Sequence, residues 1–375
     1  MKLEQRLLDS LNQLKSKSAL RSLKLNEGLI DFCSNDYLGL AVSAELRDKV
    51  SVAYSKLNRS GSGGSRLLSG NHPVMEELES MLCDFHNSDT ALLFNSGYDA
   101  NLSIFGTVPR RGDLVLYDSL VHASIHDGMR ICKAETLSFK HNDCNDLKQL
   151  LEINSNREGQ IFVAIESLYS MDGDLAPLSE IAEICQNYGA ALIVDEAHAT
   201  GVFGYNGVGR VQELGLQDKI FARLHTFGKA IGGHGAAILG SDVLKNYLIN
   251  YARPLIFSTA LSLHDVIHAT EAYKLLDEKG ESLKNSLHEK ILFFRSEIAA
   301  VSKKYKILDS ISPIQGIIIP GNEAVIKTAK ILQENGFDVR PIRYPSVAAG
   351  SERLRICLHS FNSESEIRNL IKLLS

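Results

Sequence analysis

The sequence predicts an α/β protein: a large parallel-rich sheet with helices on both faces, followed by a smaller α+β C-terminal domain. Three observations lead there. From residue 74 onward, helical spacing alternates with short apolar runs, the pattern of parallel strands joined by helical crossovers. Runs such as IFVAIE and ALIVDE are apolar on both alternations, as strands covered on both faces are. Beyond about residue 276 the strand-like segments are fewer and differently separated. A length of 375 residues allows two domains. The expected division is an N-terminal helix and arm over 1–41, a large α/β domain over 42–276 and a small α+β domain over 277–375.

Taken in order, residues 1–25 have helical spacing and mixed charge without a long apolar core, so neither a signal peptide nor a membrane span is expected there. A short strand follows over Leu29 to Cys33, then a turn in SNDYLGL, where Asn-Asp precedes Tyr-Leu-Gly. A helix over Ala44 to Leu57 runs into NRSGSGGSRLLSGNHP. Its glycines at 61, 63, 64 and 70 let the backbone approach a ligand or another chain. A helix over 74–87 precedes a strand at Thr90 to Phe94, and a helix over 97–107 precedes a strand at Leu114 to Asp118. A helix after Ser119 leads to a strand around Thr136 to Phe139. Strands at Gln160 to Glu166 and Ala190 to Asp195 flank a helix over 177–188, and Phe221 to Leu224 and Ala236 to Gly240 close the series. The small domain reads as a long helix from Ser282 to Ser302, a strand in ISPIQGIIIP, a helix near 323–335, strands in FDVRPIRYP and RLRICLHS, and a terminal helix.

Composition narrows the class. A net charge of −5 gives no basic surface for nucleic acid. The six cysteines are scattered without CxxC pairs, which suggests neither a zinc site nor a disulfide framework and fits a reducing cytoplasm. No apolar stretch approaches transmembrane length, so no membrane partner is expected.

In open α/β sheets, ligands bind at the carboxyl ends of the strands. After Phe94 comes NSGYDAN, whose small residues open a helix with N–H groups available to a phosphate. After Asp118 comes His122, Glu166 leads into SLYSMDGD with Ser170, and Val194 leads into DEAHATG with Asp195 and His198. The last pair of strands brackets LHTFGKAIGGHG, with Thr226 and Lys229. A lysine held between Phe227-Gly228 and Ala230-Ile231 is partly desolvated, which favours the neutral amine needed for a Schiff base. The glycines at 228, 232, 233 and 235 are expected to leave room for a planar group. A phosphate cradle, a carboxylate, imidazoles and a lysine at strand ends are the parts that hold pyridoxal 5'-phosphate. Two rival motifs fail. DEAH at 195–198 suggests a helicase, but GxxxxGK[ST] would need Gly where Arg223 stands and Ser or Thr where Ala230 stands. GSGGS neither follows a clear strand nor spells GxGxxG.

SNDYLGL, GSGGSRLLSG, NSGYDAN, HNDCNDL, SMDGD, VDEAHATG and TFGKAIGGHG together resemble, in order and across nearly the whole chain, the α-oxoamine synthases. These are fold-type-I pyridoxal phosphate transferases that condense an amino acid with an acyl thioester and release carbon dioxide. The resemblance implies that Lys229 carries the cofactor aldehyde, Asp195 pairs with the ring nitrogen and His122 stacks on the ring. It places His198 and Ser170 at the phenolic oxygen, and Gly97, Tyr98 and Thr226 at the phosphate. Thr259 would reach the phosphate of a neighbouring subunit, because family sites form at a homodimer interface. Asn35 and Arg355 resemble substrate contacts, Arg355 being chosen over Arg353 as partner of the amino-acid carboxylate on the resemblance alone, and Arg21 matches an arginine near the acyl substrate. Members differ in using alanine, glycine or serine. A non-catalytic regulator on the same fold would be expected to carry a basic DNA-binding extension. Met75 stands where many relatives have histidine, with His72 off register, and Tyr344 and Ala348 replace frequent prolines; these departures bear on acyl-chain choice.

Overall fold

The structure, a computed structural model, describes residues 2–23, 25, 28–301 and 304–375. In chain order the first elements are α1 (Lys2–Ser16), β1 (Ile30–Asp31), α2 (Ala44–Tyr54), α3 (Pro73–His86), β2 (Thr90–Phe94), α4 (Gly97–Thr107), β3 (Leu114–Asp118) and α5 (Ala123–Ile131). Then come β4 (Glu135–Phe139), α6 (Cys144–Ile153), β5 (Ile161–Glu166), α7 (Leu178–Asn187), β6 (Ala191–Asp195), α8 (Arg210–Glu213), β7 (Ala222–Thr226) and β8 (Ala236–Gly240). The chain ends with α9 (Asp242–Tyr251), α10 (Arg253–Ile256), α11 (Leu263–Ile298), β9 (Lys306–Ile307), β10 (Ile314–Ile318), α12 (Asn322–Glu334), β11 (Phe337–Asp338), β12 (Arg340–Ile342), β13 (Arg353–Cys357) and α13 (Glu364–Lys372).

Two compact units result. One comprises Asp36–Ser170 and Leu175–Asn285; the other comprises Met1–Asn35, Met171–Asp174 and Ser286–Ser375. The larger unit is built on a seven-stranded sheet of order β2-β8-β7-β6-β5-β3-β4. Pairing is parallel from β4 through β7, and β8 alone runs against its neighbours. Strand alternation sends side chains to two separate cores. Ala164, Ile193 and Leu224 pack with Ile104 and Ile125 on the face carrying α4 and α5. Val163, Leu192 and Val194 pack with Leu147 and Ile181 on the face carrying α6 and α7. This is the two-sided burial that makes both alternations apolar. The smaller unit has an antiparallel sheet of order β12-β13-β10-β9 with α12 and α13, and a short parallel pair of β1 with β11.

Several boundaries differ from the sequence expectation. The opening helix ends at Ser16, because no residue of α1 is buried and nothing in the core extends it towards residue 25; Met1 and Lys24 of that stretch lie outside the described residues. The strand expected over Leu29 to Cys33 shortens to Ile30–Asp31, since Asp31 Oδ1 turns the chain by accepting the backbone N–H groups of Cys33 and Ser34. The long helix begins at Leu263 rather than Ser282, its first turns buried through Val266, Ala269, Ala272 and Tyr273; Ser302, its expected end, is outside the described residues. Helices α6, α8, α9 and α10 go beyond the sequence expectation, and the stretch 66–70 is a turn of π-helix rather than an open loop.

One glycine turn bears directly on the site. After β6 the chain folds back through residues 196–209, where the Gly201 N–H donates to the Gly207 carbonyl at 2.8 Å. Gly207 has φ +84°, and a Cβ there would lie 2.6 Å from Gly201 Cα. Both the positive φ and the backbone contact oppose a side chain. Gly207→Ala is therefore expected to cost about 2 kcal/mol or more of stability, read as a lowered denaturation midpoint; an unchanged midpoint would show that the turn tolerates a side chain.

Candidate active site

The site assembles at the carboxyl ends of β5, β6 and β7 on the face that carries α4 and α5. Asp195 closes β6 and is buried. Its Oδ2 accepts from Asn101 Nδ2 at 2.8 Å and its Oδ1 from the Ala197 N–H at 2.9 Å, so both oxygens are fixed as acceptors. The same Asn101 amide donates to Ser124 Oγ at 2.9 Å, and Ser124 Oγ lies 2.7 Å from His122 Nδ1. His122 is the N-cap of α5. One hydrogen-bonded chain thus runs from the expected ring-stacking histidine to the expected ring-nitrogen carboxylate. Desolvation pulls the His122 pKa below the usual histidine range; the Asp195 charge opposes that shift and the Lys229 charge adds to it, which puts all three groups within electrostatic reach.

Lys229 lies in the turn between β7 and β8. Its carbonyl accepts the Gly232 N–H at 2.8 Å, and Phe227 closes the turn by donating to the Gly235 carbonyl at 2.9 Å and accepting from the Gly233 N–H at 2.7 Å. Phe227, Ala230 and Ile231 are buried and anchor it, leaving Lys229 half-buried. The glycines here do not act as the sequence suggested. A Cβ at Gly232 would fall 2.3 Å from Ala41 N, one at Gly233 would fall 2.6 Å from His268 Nδ1, and one at Gly235 would fall 2.8 Å from Leu261 Cδ2. They allow the turn to pack against protein; at Gly228 a Cβ would meet only ordinary contact, 3.6 Å from the Gly233 carbonyl oxygen.

His198 is buried in the turn after Asp195, its Nδ1 2.8 Å from the Tyr37 hydroxyl. Ser170 is buried in the loop after β5. Gly97 and Tyr98 form the first turn of α4, which Ser96 caps by accepting the Asp99 N–H at 3.0 Å. First-turn N–H groups have no intrahelical acceptor and attract anions. Thr226 adjoins them: a Cβ on Gly97 would lie 2.5 Å from Thr226 Cγ2. The Tyr98 hydroxyl itself donates to Asp127, so what that residue offers an anion is its backbone N–H. Thr259 is exposed, its carbonyl held by Asn95 Nδ2 at 2.9 Å.

In the smaller unit, Arg355 is buried on β13 and donates to Asn35 Oδ1 at 2.9 Å and to Cys357 Sγ at 2.8 Å. Two of the expected substrate contacts therefore meet. Arg353, on the same strand, is instead ion-paired with Asp172. Arg21 is exposed and donates to Ser346 Oγ at 3.2 Å beside a cavity of about 930 Å³ lined also by Lys330, Arg340 and Arg343. Arg343 donates to the Ser18 carbonyl at 2.6 Å, tying the Arg21 segment to the sheet. Met75 is fully buried in the core of the larger unit. Sequence reasoning passed over Tyr37, Asn101, Ser124 and Glu166. Glu166 was within reach of the strand-end rule; Asn101 and Ser124 act only through contacts made by packing.

A carboxylate with both oxygens fixed, a lysine in a rigid turn and a small-residue helix start beside a threonine suit a phosphate-bearing aromatic aldehyde. Among the described residues no cluster of histidine, cysteine and acidic side chains could hold a metal, and no helix is long and apolar enough to cross a membrane. The fold is that of the fold-type-I pyridoxal phosphate transferases. Residues 27–374 match the family model of aminotransferase class I and II, and the chain belongs to that family. It is 41% identical to the 8-amino-7-oxononanoate synthase of Emericella nidulans over 98% of this chain and 93% of that protein. Identity to the protein of that name from Lysinibacillus sphaericus is 38%, over 91% and 86%. Among solved structures, serine palmitoyltransferase from S. paucimobilis superposes with a TM-score of 0.90 at 27% identity, covering 98% of this chain and 95% of that one. 8-Amino-7-oxononanoate synthase from Francisella tularensis superposes at 0.78 with 29% identity, covering 93% and 97%.

Proposed function

We propose that this protein binds pyridoxal 5'-phosphate and condenses L-alanine with a pimeloyl thioester, of coenzyme A or a carrier protein, to give 8-amino-7-oxononanoate, carbon dioxide and the free thiol, a step of biotin biosynthesis. The observation that carries the cofactor reading is the chain His122–Ser124–Asn101–Asp195 set against Lys229. The acyl and amino-acid assignment rests on the similarity to the relatives named above.

When bound, the cofactor supplies an aldehyde for attachment and a protonated ring that accepts the electron pair left at the substrate Cα. The protein's own groups do the rest. Lys229 would hold the aldehyde, and its amine would take the Cα proton and return it. Asp195 keeps the ring nitrogen protonated, oriented by Asn101 and the Ala197 N–H. His122 would cover one ring face and exclude water, while His198, positioned by Tyr37, and Ser170 would hold the phenolic oxygen. The backbone at Gly97 and Tyr98, with Thr226, receives the phosphate. Thr259 serves the phosphate of the second subunit in a cytoplasmic homodimer. Arg355 and Asn35 hold the amino-acid carboxylate, the guanidinium matching it bidentately. Arg21 faces the acyl donor.

A second reading has one observation in its favour. The higher superposition score belongs to serine palmitoyltransferase, which raises serine as the amino acid; glycine C-acetyltransferase and 5-aminolevulinate synthase use glycine on the same general plan. Titration of the cofactor-loaded protein with L-alanine, glycine and L-serine separates these. L-Alanine alone is expected to shift the visible band, with turnover appearing on addition of pimeloyl-CoA. A response to glycine or serine alone would keep the fold class and discard the biotin assignment.

A further inference from the structure

Glu166 is a buried carboxyl group to which the proposed chemistry gives no task. It is the last residue of β5, and in the parallel register its Cα partner is Asp195, the last residue of β6. Paired residues on adjacent strands point to the same face, so two carboxyl groups lie side by side. Glu166 is 3% exposed and Asp195 7%. Their surroundings differ. Both Asp195 oxygens accept hydrogen bonds, from Asn101 and from the Ala197 N–H. The backbone amides of His122 and Ser170 favour the ionised form of Glu166, yet its Oε1 is out of contact with solvent and has no hydrogen-bond partner among the described residues. An ionised oxygen left so would carry the full cost of desolvation.

The charged groups facing Glu166 are Asp195 from β6 and Lys229 from the β7–β8 turn. Burial and then the Asp195 charge push its carboxyl well above the usual range, and Lys229 opposes them without reversing the direction. Where two carboxyl groups share one site, the second ionisation is suppressed, and the group whose oxygens both have donors takes the charge.

Resting on the cofactor reading above, we propose that Glu166 is a positioning residue held as a neutral carboxylic acid, so that the Glu166–Asp195 pair carries one negative charge and that charge resides on Asp195. A single charge matches the one positive ring nitrogen that Asp195 serves. A second would leave an unmatched anion in the same buried site.

Infrared spectroscopy of the full-length protein tests this with and without pyridoxal phosphate. A protonated-carboxyl carbonyl band is expected near neutral pH and is expected to be missing in Glu166→Gln. In Asp195→Asn the same band should titrate away at lower pH, a response that a purely structural role would not produce. Glu166→Gln, which stays neutral and keeps a donor, should bind pyridoxal phosphate within about twofold of the parent and leave the pH dependence of the visible band in place. Absence of a band attributable to Glu166, or a shift of the visible pH profile by a full unit in Glu166→Gln, would overturn the proposal. Because the cofactor-free spectra do not depend on ligand, failure of the protein to bind pyridoxal phosphate would be recognised separately as failure of the functional reading.

Discussion

Replacing Lys229 with alanine is expected to abolish the visible band of the lysine-attached cofactor and turnover together. The two losses have one cause. The amine is both the point of attachment and the base that moves the Cα proton, so no neighbouring group takes over either task. The turn itself should survive, because its closing bonds are made by the backbone of Phe227, Lys229, Gly232, Gly233 and Gly235. Turnover should fall by at least about 10³-fold, while circular dichroism and the denaturation midpoint stay close to those of the parent. Substantial residual turnover in Lys229→Ala would remove this residue from the chemistry.

Asp195→Asn is expected to separate catalysis from binding. Asparagine occupies nearly the same volume and can keep one of the two acceptor contacts, to Asn101 or to the Ala197 N–H, so pyridoxal phosphate should still bind through its phosphate and Lys229. It cannot hold a proton on the ring nitrogen, and the electron sink weakens. Exchange of the L-alanine Cα proton with deuterated solvent should slow by roughly 10²–10³-fold, with cofactor affinity changing far less. Equal losses in exchange rate and affinity would reduce Asp195 to a structural strand-end carboxylate.

The larger unit was legible because its signals are local. Thr90 to Phe94 and Leu114 to Asp118 are strands at the expected bounds, and the helix read at 97–107 is α4. Each lies between clear turn residues, and each strand is covered on both faces. The element limits that failed are ones where burial decides. α11 reaches back to Leu263, where Val266, Ala269, Ala272 and Tyr273 are enclosed. The glycines after Lys229 illustrate the same limit. Composition implied room for a ligand, whereas Ala41, His268 and Leu261 already occupy the space that their Cβ atoms would need.

By itself the sequence determined the alternation of elements, the choice of strand ends as the place of chemistry, and the residue types collected there: Lys229, Asp195, His122 and His198. Those follow from periodicity and from the rule that parallel sheets open at their carboxyl ends, both of which are written along the chain. Only the tertiary structure decided which groups hold those residues. Asn101 joins Asp195 to Ser124, Tyr37 reaches His198 across 161 positions, and Glu166 meets Asp195 across one strand pair. The physical reason is that a hydrogen bond or a shared proton depends on distances of about 3 Å between side chains, and packing alone sets such distances between residues far apart in the chain.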